Sequence, residues 1–486
     1  MKTALMVWGA SSGAGKSLLA AAVCRWAARQ GLDVAPFKAQ NMSNNARVVA
    51  AADGGFGEIG AAQYFQALAA RVAPSVDMNP VLLKPESDTS SQVVLHGRVH
   101  GALSRQPWRE RSAALARAAR ASFERLAARH ELLVIEGAGS PAEINLAPQD
   151  YVNLDTARWA GAAGRLRAWI VADIDRGGAF AHLHGTWALL PDDLRRHLDG
   201  FVLNKFRGDA ALLAPGPERL RELTGVPVLG VLPMLRDHGL PEEDGVYAAP
   251  PAAAGPRVAV LAFPHISNLD EFHPLGRACR LRWARTPVEL ADADWIILPG
   301  SKQVSGDLAW LRAQRLDAAI ERHVRAGKRV LGVCGGLQLL GRVLDDPDGV
   351  DGQPHGPLPG LGLLPLDTRY ARPKRVTAAP VRFAALAPPW ESLSGLRVPA
   401  YEIRNGTTAP SPAAAVAAVL HDARGSAIGW QAGAVLGVYA HGLFEAPEVM
   451  RALFGTLVPT LDASLDGLAD RLQEHMDAGA LHSLLA

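Results

Sequence analysis

Cysteine is scarce in this chain. Only Cys24, Cys279 and Cys334 occur among 486 residues, too few and too scattered for a disulfide framework or a paired-cysteine zinc site. A reducing cytoplasm is the compartment this fits. A surplus of charge is missing as well, since 50 Lys and Arg face 48 Asp and Glu for a formal net charge of +2. With no basic run long enough to follow a phosphate backbone, nucleic acid is not an expected partner. Nowhere do about eighteen apolar residues run without charge or turn formers, so no membrane span is expected. Residues 1–8, MKTALMVW, lead straight into a glycine-rich loop, which leaves no room for the apolar core and cleavage site of a signal peptide. What remains is ordinary: 49% hydrophobic and 20% charged residues describe a folded chain, not a disordered one. At this length two hydrophobic cores are expected rather than one.

Short apolar runs at 4–7, 132–135, 168–172 and 200–203 read as buried parallel strands. Longer amphipathic stretches such as 17–29 and 108–129 separate them, and that alternation predicts a doubly wound α/β sheet. Residues 248–256, APPAAAGP with one further alanine ahead, have no apolar periodicity and read as a linker. Strand signals restart at 257–262, 295–298, 329–333 and 434–439. The expected organisation is therefore α/β in two domains, a phosphate-loop-type, mostly parallel sheet at 1–247 and a second α/β domain at 257–447. Residues 448–486 are helical in composition and read as a C-terminal extension. No internal repeat of fixed period is present.

Residues 9–17, GASSGAGKS, follow an apolar strand and precede an amphipathic helix. Gly13 and Gly15 let backbone N–H groups close around phosphate oxygens, and the helix N-terminus adds positive potential. Lys16 is positioned to meet the β and γ phosphates, and Ser17 to hold Mg²⁺. ATP is the expected nucleotide. Five residues rather than four separate Gly9 from Gly15, a spacing that resembles the loop of dethiobiotin synthetase. A magnesium nucleotide calls for further carboxylates. Glu136, at the end of the 132–135 run, lies where open α/β sheets gather ligands, and Asp53 is a second candidate. Either is otherwise a solvated or capping carboxylate, but the loop's need for a metal favours both. Asn204 and Lys205, after the 200–203 run, read either as contacts to the nucleotide base or as a plain loop.

Residues 331–340, LGVCGGLQLL, set Cys334 between a buried strand and a helix, with glycines that permit a sharp turn. Such an elbow exposes sulfur to the positive end of the helix, and nearby N–H groups can stabilise the oxyanion formed on attack at an amide carbonyl. Cys24 and Cys279 lack that setting and read as buried structural residues. His441 ends a second apolar strand in a glycine-flanked turn, so Cys334 and His441 form the expected dyad. The turn at Gly300 and Ser301 is a candidate for an oxyanion-hole N–H.

With these pieces placed, the chain resembles the cobyric acid synthases of the cobalamin pathway from residue 1 to about 447. The specific strings are 35–45 (APFKAQNMSNN), 77–88 (DMNPVLLKPESD), 135–145 (IEGAGSPAEIN), 172–178 (ADIDRGG) and 203–209 (LNKFRGD). The resemblance implies a dethiobiotin-synthetase-like ATP- and corrinoid-binding domain followed by a class I glutamine amidotransferase domain. It implies ATP-dependent phosphorylation of the b, d, e and g carboxylates of adenosylcobyrinic acid a,c-diamide. Ammonia from glutamine then displaces phosphate to give adenosylcobyric acid, and a homo-oligomer remains compatible with the family. Most glutaminases of this class carry a glutamate two residues after the histidine. Here that position is Leu443, a feature common in the family, and Glu445 is a poor substitute.

Other departures are Arg404 in 401–404 (YEIR), where the family usually has histidine, and Gly13, where it usually has asparagine. Phe56 and Gly57 look like an insertion in 53–60, which leaves Asp53 or Glu58 as the metal-side carboxylate, with Asp53 preferred. Glu143, Asp150, Asp173 and Asp175 are candidates to face the corrinoid, or else caps and solvated charges. Two alternatives share parts of this pattern. Cobyrinic acid a,c-diamide synthase has both domains but amidates other carboxylates, and a partitioning-type switch ATPase has the phosphate loop and no need of Cys334.

Overall fold

The central strands of the first sheet are sealed on both faces. Val, Ile, Leu and Ala dominate Thr3–Gly9 and Leu132–Glu136, every residue of which is buried, as parallel strands covered by helices must be. A computed structural model describes residues 1–486 apart from 52, 88, 236, 237, 239, 241–254, 353, 354, 413–415, 457, 458 and 486. The chain divides into two compact units, Met1–Leu240 with Thr460–Ala486, and Pro241–Pro459. Most of the expected linker, 248–254, lies outside the described residues, as does Asp88.

The first unit holds a six-stranded sheet in the order Val228–Pro233, Leu198–Phe206, Arg165–Asp173, Thr3–Gly9, Leu132–Glu136, Val34–Phe37. All its pairings are parallel. Thr3–Gly9 is central, with Arg165–Asp173 on one side and Leu132–Glu136 on the other, so the loop leaving its carboxyl end lies at the point where the winding reverses. The second unit has a nine-stranded sheet that is parallel from Arg280–Ala284 through Arg257–Leu261, Trp295–Leu298 and Arg329–Val333 to Val435–Val438. It continues antiparallel through Ala427–Ala432, Ala417–His421, Arg375–Phe383 and Arg397–Arg404. The antiparallel half has no counterpart in the strand runs expected from sequence.

The C-terminal residues do not act as one extension. Helix Pro447–Phe454 stays in the second unit, whereas Leu461–His475 belongs to the first and packs along Lys16–Arg29. Leu465, Leu468, Ala469 and Leu472 bury the apolar side of that contact. Its polar side is a ladder. The Arg25 side chain, fully buried, donates to Asp466 at 2.8 Å and to Asp462 at 2.5 Å, and Arg29 donates to Asp470 at 2.6 Å. Because Arg25 has lost its water, Asp466 matters more than the half-exposed Asp470 pair. Asp466→Asn is expected to cost about 1–2 kcal/mol of local stability, read as faster amide hydrogen exchange in Leu461–His475. Asp470→Asn should change it little.

Candidate active site

Two chemically distinct centres form, one at the carboxyl ends of the parallel strands in each unit. In the first, the chain leaves Thr3–Gly9, turns through residues 10–15 and enters helix Lys16–Arg29. Gly15 takes φ 94°, and a side chain there would run into the amide of Asn204, 2.0 Å from the Cβ position. Only glycine permits that approach. Asn204 in turn donates to the Ala14 carbonyl at 2.9 Å, and Lys205 to the Gly13 carbonyl at 2.8 Å while pairing with Asp173 at 3.2 Å. Asn204 and Lys205 therefore brace the loop from the end of strand Leu198–Phe206, two places along the sheet. Lys16 Nζ reaches back over the loop to the carbonyls of Ser11 and Gly139 at 3.2 and 3.1 Å.

Glu136 is fully buried beside this loop. Its Oε1 accepts from Ser17 Oγ and from Lys38 Nζ, both at 2.8 Å, and its Oε2 from Gln66 at 2.6 Å and Gln63 at 3.2 Å. Burial alone would raise its pKa, but Lys38 and the hydrogen bonds outweigh burial and lower it. Glu136 is thus held as a carboxylate. A hydroxyl and a carboxylate side by side at a phosphate loop are hard oxygen donors of the kind Mg²⁺ takes together with nucleotide phosphates. The residues fit such an ion.

Asp53 is not brought into this cluster. It sits on the exposed turn between Ala46–Ala50 and Phe56–Gly60, with Arg98 and the Gly55 N–H as its partners. The other carboxylate of that hairpin, Glu58, is buried and paired with Lys84. Asp150 caps the following turn through Val152 and Asn153, and Asp175 pairs with Arg207. Lys38, Gln63 and Gln66 escaped the sequence reading as a group. Nothing in their spacing marks three polar residues as converging on one carboxylate.

In the second unit, Cys334 lies between strand Arg329–Val333 and helix Gly335–Leu340. Its backbone is in a strained, positive-φ conformation, φ 52° and ψ −106°, which a non-glycine residue holds only when the surroundings impose it. They do. The Cys334 N–H is tied to the Val438 carbonyl at 2.8 Å, and at Gly336 an added Cβ would fall 1.9 Å from the Leu298 carbonyl. The glycines after the cysteine are therefore required by packing against the next strand.

His441 follows strand Val435–Val438 and is 1% exposed. Cys334 is close enough on one side to help raise its pKa, while the thiol itself lies 3.5 Å from the Ile403 carbonyl. On the other, Nδ1 lies 2.7 Å from Oε1 of Glu271, whose second oxygen accepts the Gly442 N–H at 3.0 Å. Tyr401 stacks on the imidazole with ring centroids 5.2 Å apart. Burial favours neutral imidazole, but Glu271 and Cys334 together prevail and lift the histidine to about 10.

Glu271 is thus a carboxylate partner of His441 that the sequence reading missed. It lies 170 residues before His441, so no local spacing could have shown it. Leu443, at the position where a glutamate was sought, is 5% exposed and part of the apolar core. Arg404 has a packing role of its own, with its guanidinium 4.0 Å above the Tyr439 ring and hydrogen bonds to Glu402 and the Gly406 carbonyl. Cys24 and Cys279 are buried. Burial pushes both thiols up, Cys279 to about 12.

Family models match both halves of the chain. The family model described as the CobB/CobQ-like glutamine amidotransferase domain matches residues 257–449. The model of the CobQ/CobB/MinD/ParA nucleotide binding domain matches residues 5–244. The cobyric acid synthase of Methylibium petroleiphilum is 59% identical over 495 residues, which cover 99% of this chain and 97% of that one. That of Leptothrix cholodnii is 58% identical over 501 residues, again 99% and 97% of the two chains. This chain belongs to the cobyric acid synthase family. It is accordingly a carbon–nitrogen ligase of cobalamin biosynthesis with glutamine as amido donor, an ATP-using nucleotide-binding domain and a corrinoid substrate. The partitioning-ATPase alternative is set aside by that membership. No helix among the described residues is long and apolar enough to cross a membrane.

The electrostatics of the thiol centre make a prediction for cobyric acid synthase activity. A histidine raised from 6.5 to about 10 holds its proton fully below the lower value and loses it as pH climbs through the upper one. Glu271→Gln removes the largest interaction that raises it, leaving the Cys334 contribution against burial. We expect kcat for glutamine hydrolysis to fall by roughly 10²–10⁴-fold, with the alkaline limb of the pH profile displaced to lower pH. An unchanged profile would take Glu271 out of the centre.

Proposed function

We propose that this protein converts adenosylcobyrinic acid a,c-diamide to adenosylcobyric acid by amidating its b, d, e and g carboxylates. One chain carries both a phosphate loop braced against a buried carboxylate and a thiol–imidazole–carboxylate line, and that pairing is the observation on which the proposal rests. In this reading residues 1–247, with Thr460–Ala486 packed on them, form the amidation domain and 257–447 the glutaminase, with 248–256 joining them.

At the phosphate loop, Gly13, Gly15 and Lys16 cradle the ATP phosphates, with Asn204 and Lys205 holding the loop and flanking the nucleotide. Ser17 and Glu136 are the residues to hold Mg²⁺, which supplies charge neutralisation for the transferring phosphoryl group. Asp53, paired with Arg98 on its exposed turn, lacks the support that Glu136 has. A substrate carboxylate oxygen takes the γ-phosphoryl group, and ADP departs. Ammonia then attacks the acyl carbon, and phosphate leaves with the C–O bond to give the primary amide.

At the second centre, the Cys334 sulfur attacks the side-chain amide carbon of glutamine. His441 delivers the proton with which ammonia leaves, and Glu271 keeps the ring oriented and charged for that step. Water, deprotonated by His441, cleaves the thioester to glutamate and frees the thiol. N–H groups at Ser301 and Gly335 stabilise the oxyanion.

Mass spectrometry of a corrinoid a,c-diamide incubated with enzyme, ATP, Mg²⁺ and glutamine tests the proposal, because each conversion replaces a hydroxyl by an amino group. Four successive ATP-dependent steps are expected. Glutamine and ATP consumed with no change in the corrinoid would direct the search to another carboxylate substrate. Cys334→Ala is expected to abolish the glutamine-driven reaction and to leave the ammonia-driven one, and loss of both would count against two separate centres.

A further inference from the structure

Asp307 is a carboxylate with no exposed surface, placed in the first turn of helix Val304–Ala313. Its partners come from two loops. Oδ2 accepts the Ser301 hydroxyl at 2.5 Å, and Oδ1 accepts the His265 backbone N–H at 3.2 Å and lies 2.9 Å from His265 Nδ1. Ser301 Oγ also accepts the Gln303 N–H at 3.0 Å, so the hydroxyl is fixed from both sides. Burial of a carboxylate is costly, and an apolar residue of similar size at such a position is often neutral or stabilising. Stability alone gives little reason for an aspartate here.

What those bonds hold is the short antiparallel ribbon that pairs Ile266–Ser267 with Gly300–Ser301. The Lys302 N–H donates to the His265 carbonyl at 2.9 Å, which makes Ile266 and Ser301 a non-hydrogen-bonded pair. The Ser301 N–H therefore stands outside the ladder. Its nitrogen lies beside the cysteine elbow, for a Cβ built on Gly335 would lie 2.7 Å from Ser301 N. On the same ribbon, a Cβ built on Gly300 would lie 3.3 Å from Cε1 of His441. The ribbon thus borders both the residue after the thiol and the imidazole, with the Ser301 N–H left outside the ladder on that side.

We infer that Asp307 is a positioning residue of the glutaminase, holding the Gly300–Ser301 turn so that the Ser301 N–H stays aimed at the developing oxyanion. The inference rests on the reading of Cys334 as nucleophile and names what keeps its oxyanion hole formed. Asp307 touches neither thiol nor substrate. It acts through Ser301, while His265 anchors the opposite strand of the ribbon to the same carboxylate. Such an arrangement places the donor before the charge develops, which is where an oxyanion hole gains its effect.

The test compares wild type, Asp307→Asn, Ser301→Ala and the double variant by steady-state glutaminase kinetics and by the rate of Cys334 alkylation with iodoacetamide. Alkylation needs the activated sulfur and no oxyanion hole. For each single variant kcat should fall roughly 10–100-fold, with KM and the alkylation rate within about threefold of wild type. The double variant should be no worse than the poorer single one, because both changes break one link. Wild-type kcat in Ser301→Ala and Asp307→Asn, or kcat and alkylation falling together, would overturn the inference. Should Asp307→Asn fail to fold, Ser301→Ala decides alone. Full glutaminase activity in Cys334→Ala would instead remove the nucleophile assignment, a separate failure.

Discussion

Parallel strands buried on both faces leave chemistry one place to occur, the carboxyl ends where the chain turns into the next helix. Both units obey that constraint. Glu136 and Asn204 stand at strand ends flanking the phosphate loop, as Cys334 and His441 follow the adjacent strands Arg329–Val333 and Val435–Val438. Residues distant in sequence meet because sheet neighbours are not chain neighbours. The tight turns then demand glycine. At Gly15 the obstacle is an Asn204 amide and at Gly336 a backbone carbonyl, so the motifs are steric requirements of the fold before they are catalytic ones.

Burial sets the second constraint. Glu136 and Glu271 are each 1% exposed, and a carboxylate without water must find donors or a counter-charge. Glu136 takes both, with Lys38 as the cation and Ser17, Gln63 and Gln66 as donors. Glu271 is bonded to His441 and the Gly442 N–H. For Glu136 those partners hold the carboxylate ionised despite its burial, and for Glu271 they set the carboxylate against the imidazole.

Legibility from sequence followed from how local each requirement is. The phosphate loop and the cysteine elbow could be read because glycine, nucleophile and helix start lie within a few residues of one another. The strand runs were visible because both faces are buried. The antiparallel half of the second sheet was not, since half-exposed strands such as Arg375–Phe383 carry alternating rather than continuous apolar character. Asp53 attracted attention by its acidic, glycine-rich surroundings, yet those describe a hairpin turn equally well. Helix Leu461–His475 looked like an appendage because its partner, Lys16–Arg29, lies at the other end of the chain.

Glu271 shows why a missing motif residue need not mean a missing function. The segment Leu269–Arg277 docks on the turn Leu443–Glu445 through apolar contact, with the Phe272 and Phe444 rings 5.9 Å apart. Leu443 and Phe444 are both buried in that core. A glutamate at 443 would have to displace part of this packing. The same packing fixes the residue before Phe272 and so sets the Glu271 carboxylate on His441, where the Gly442 N–H holds its second oxygen. An apolar interface does the positioning, and the charged pair that it creates supplies the chemistry.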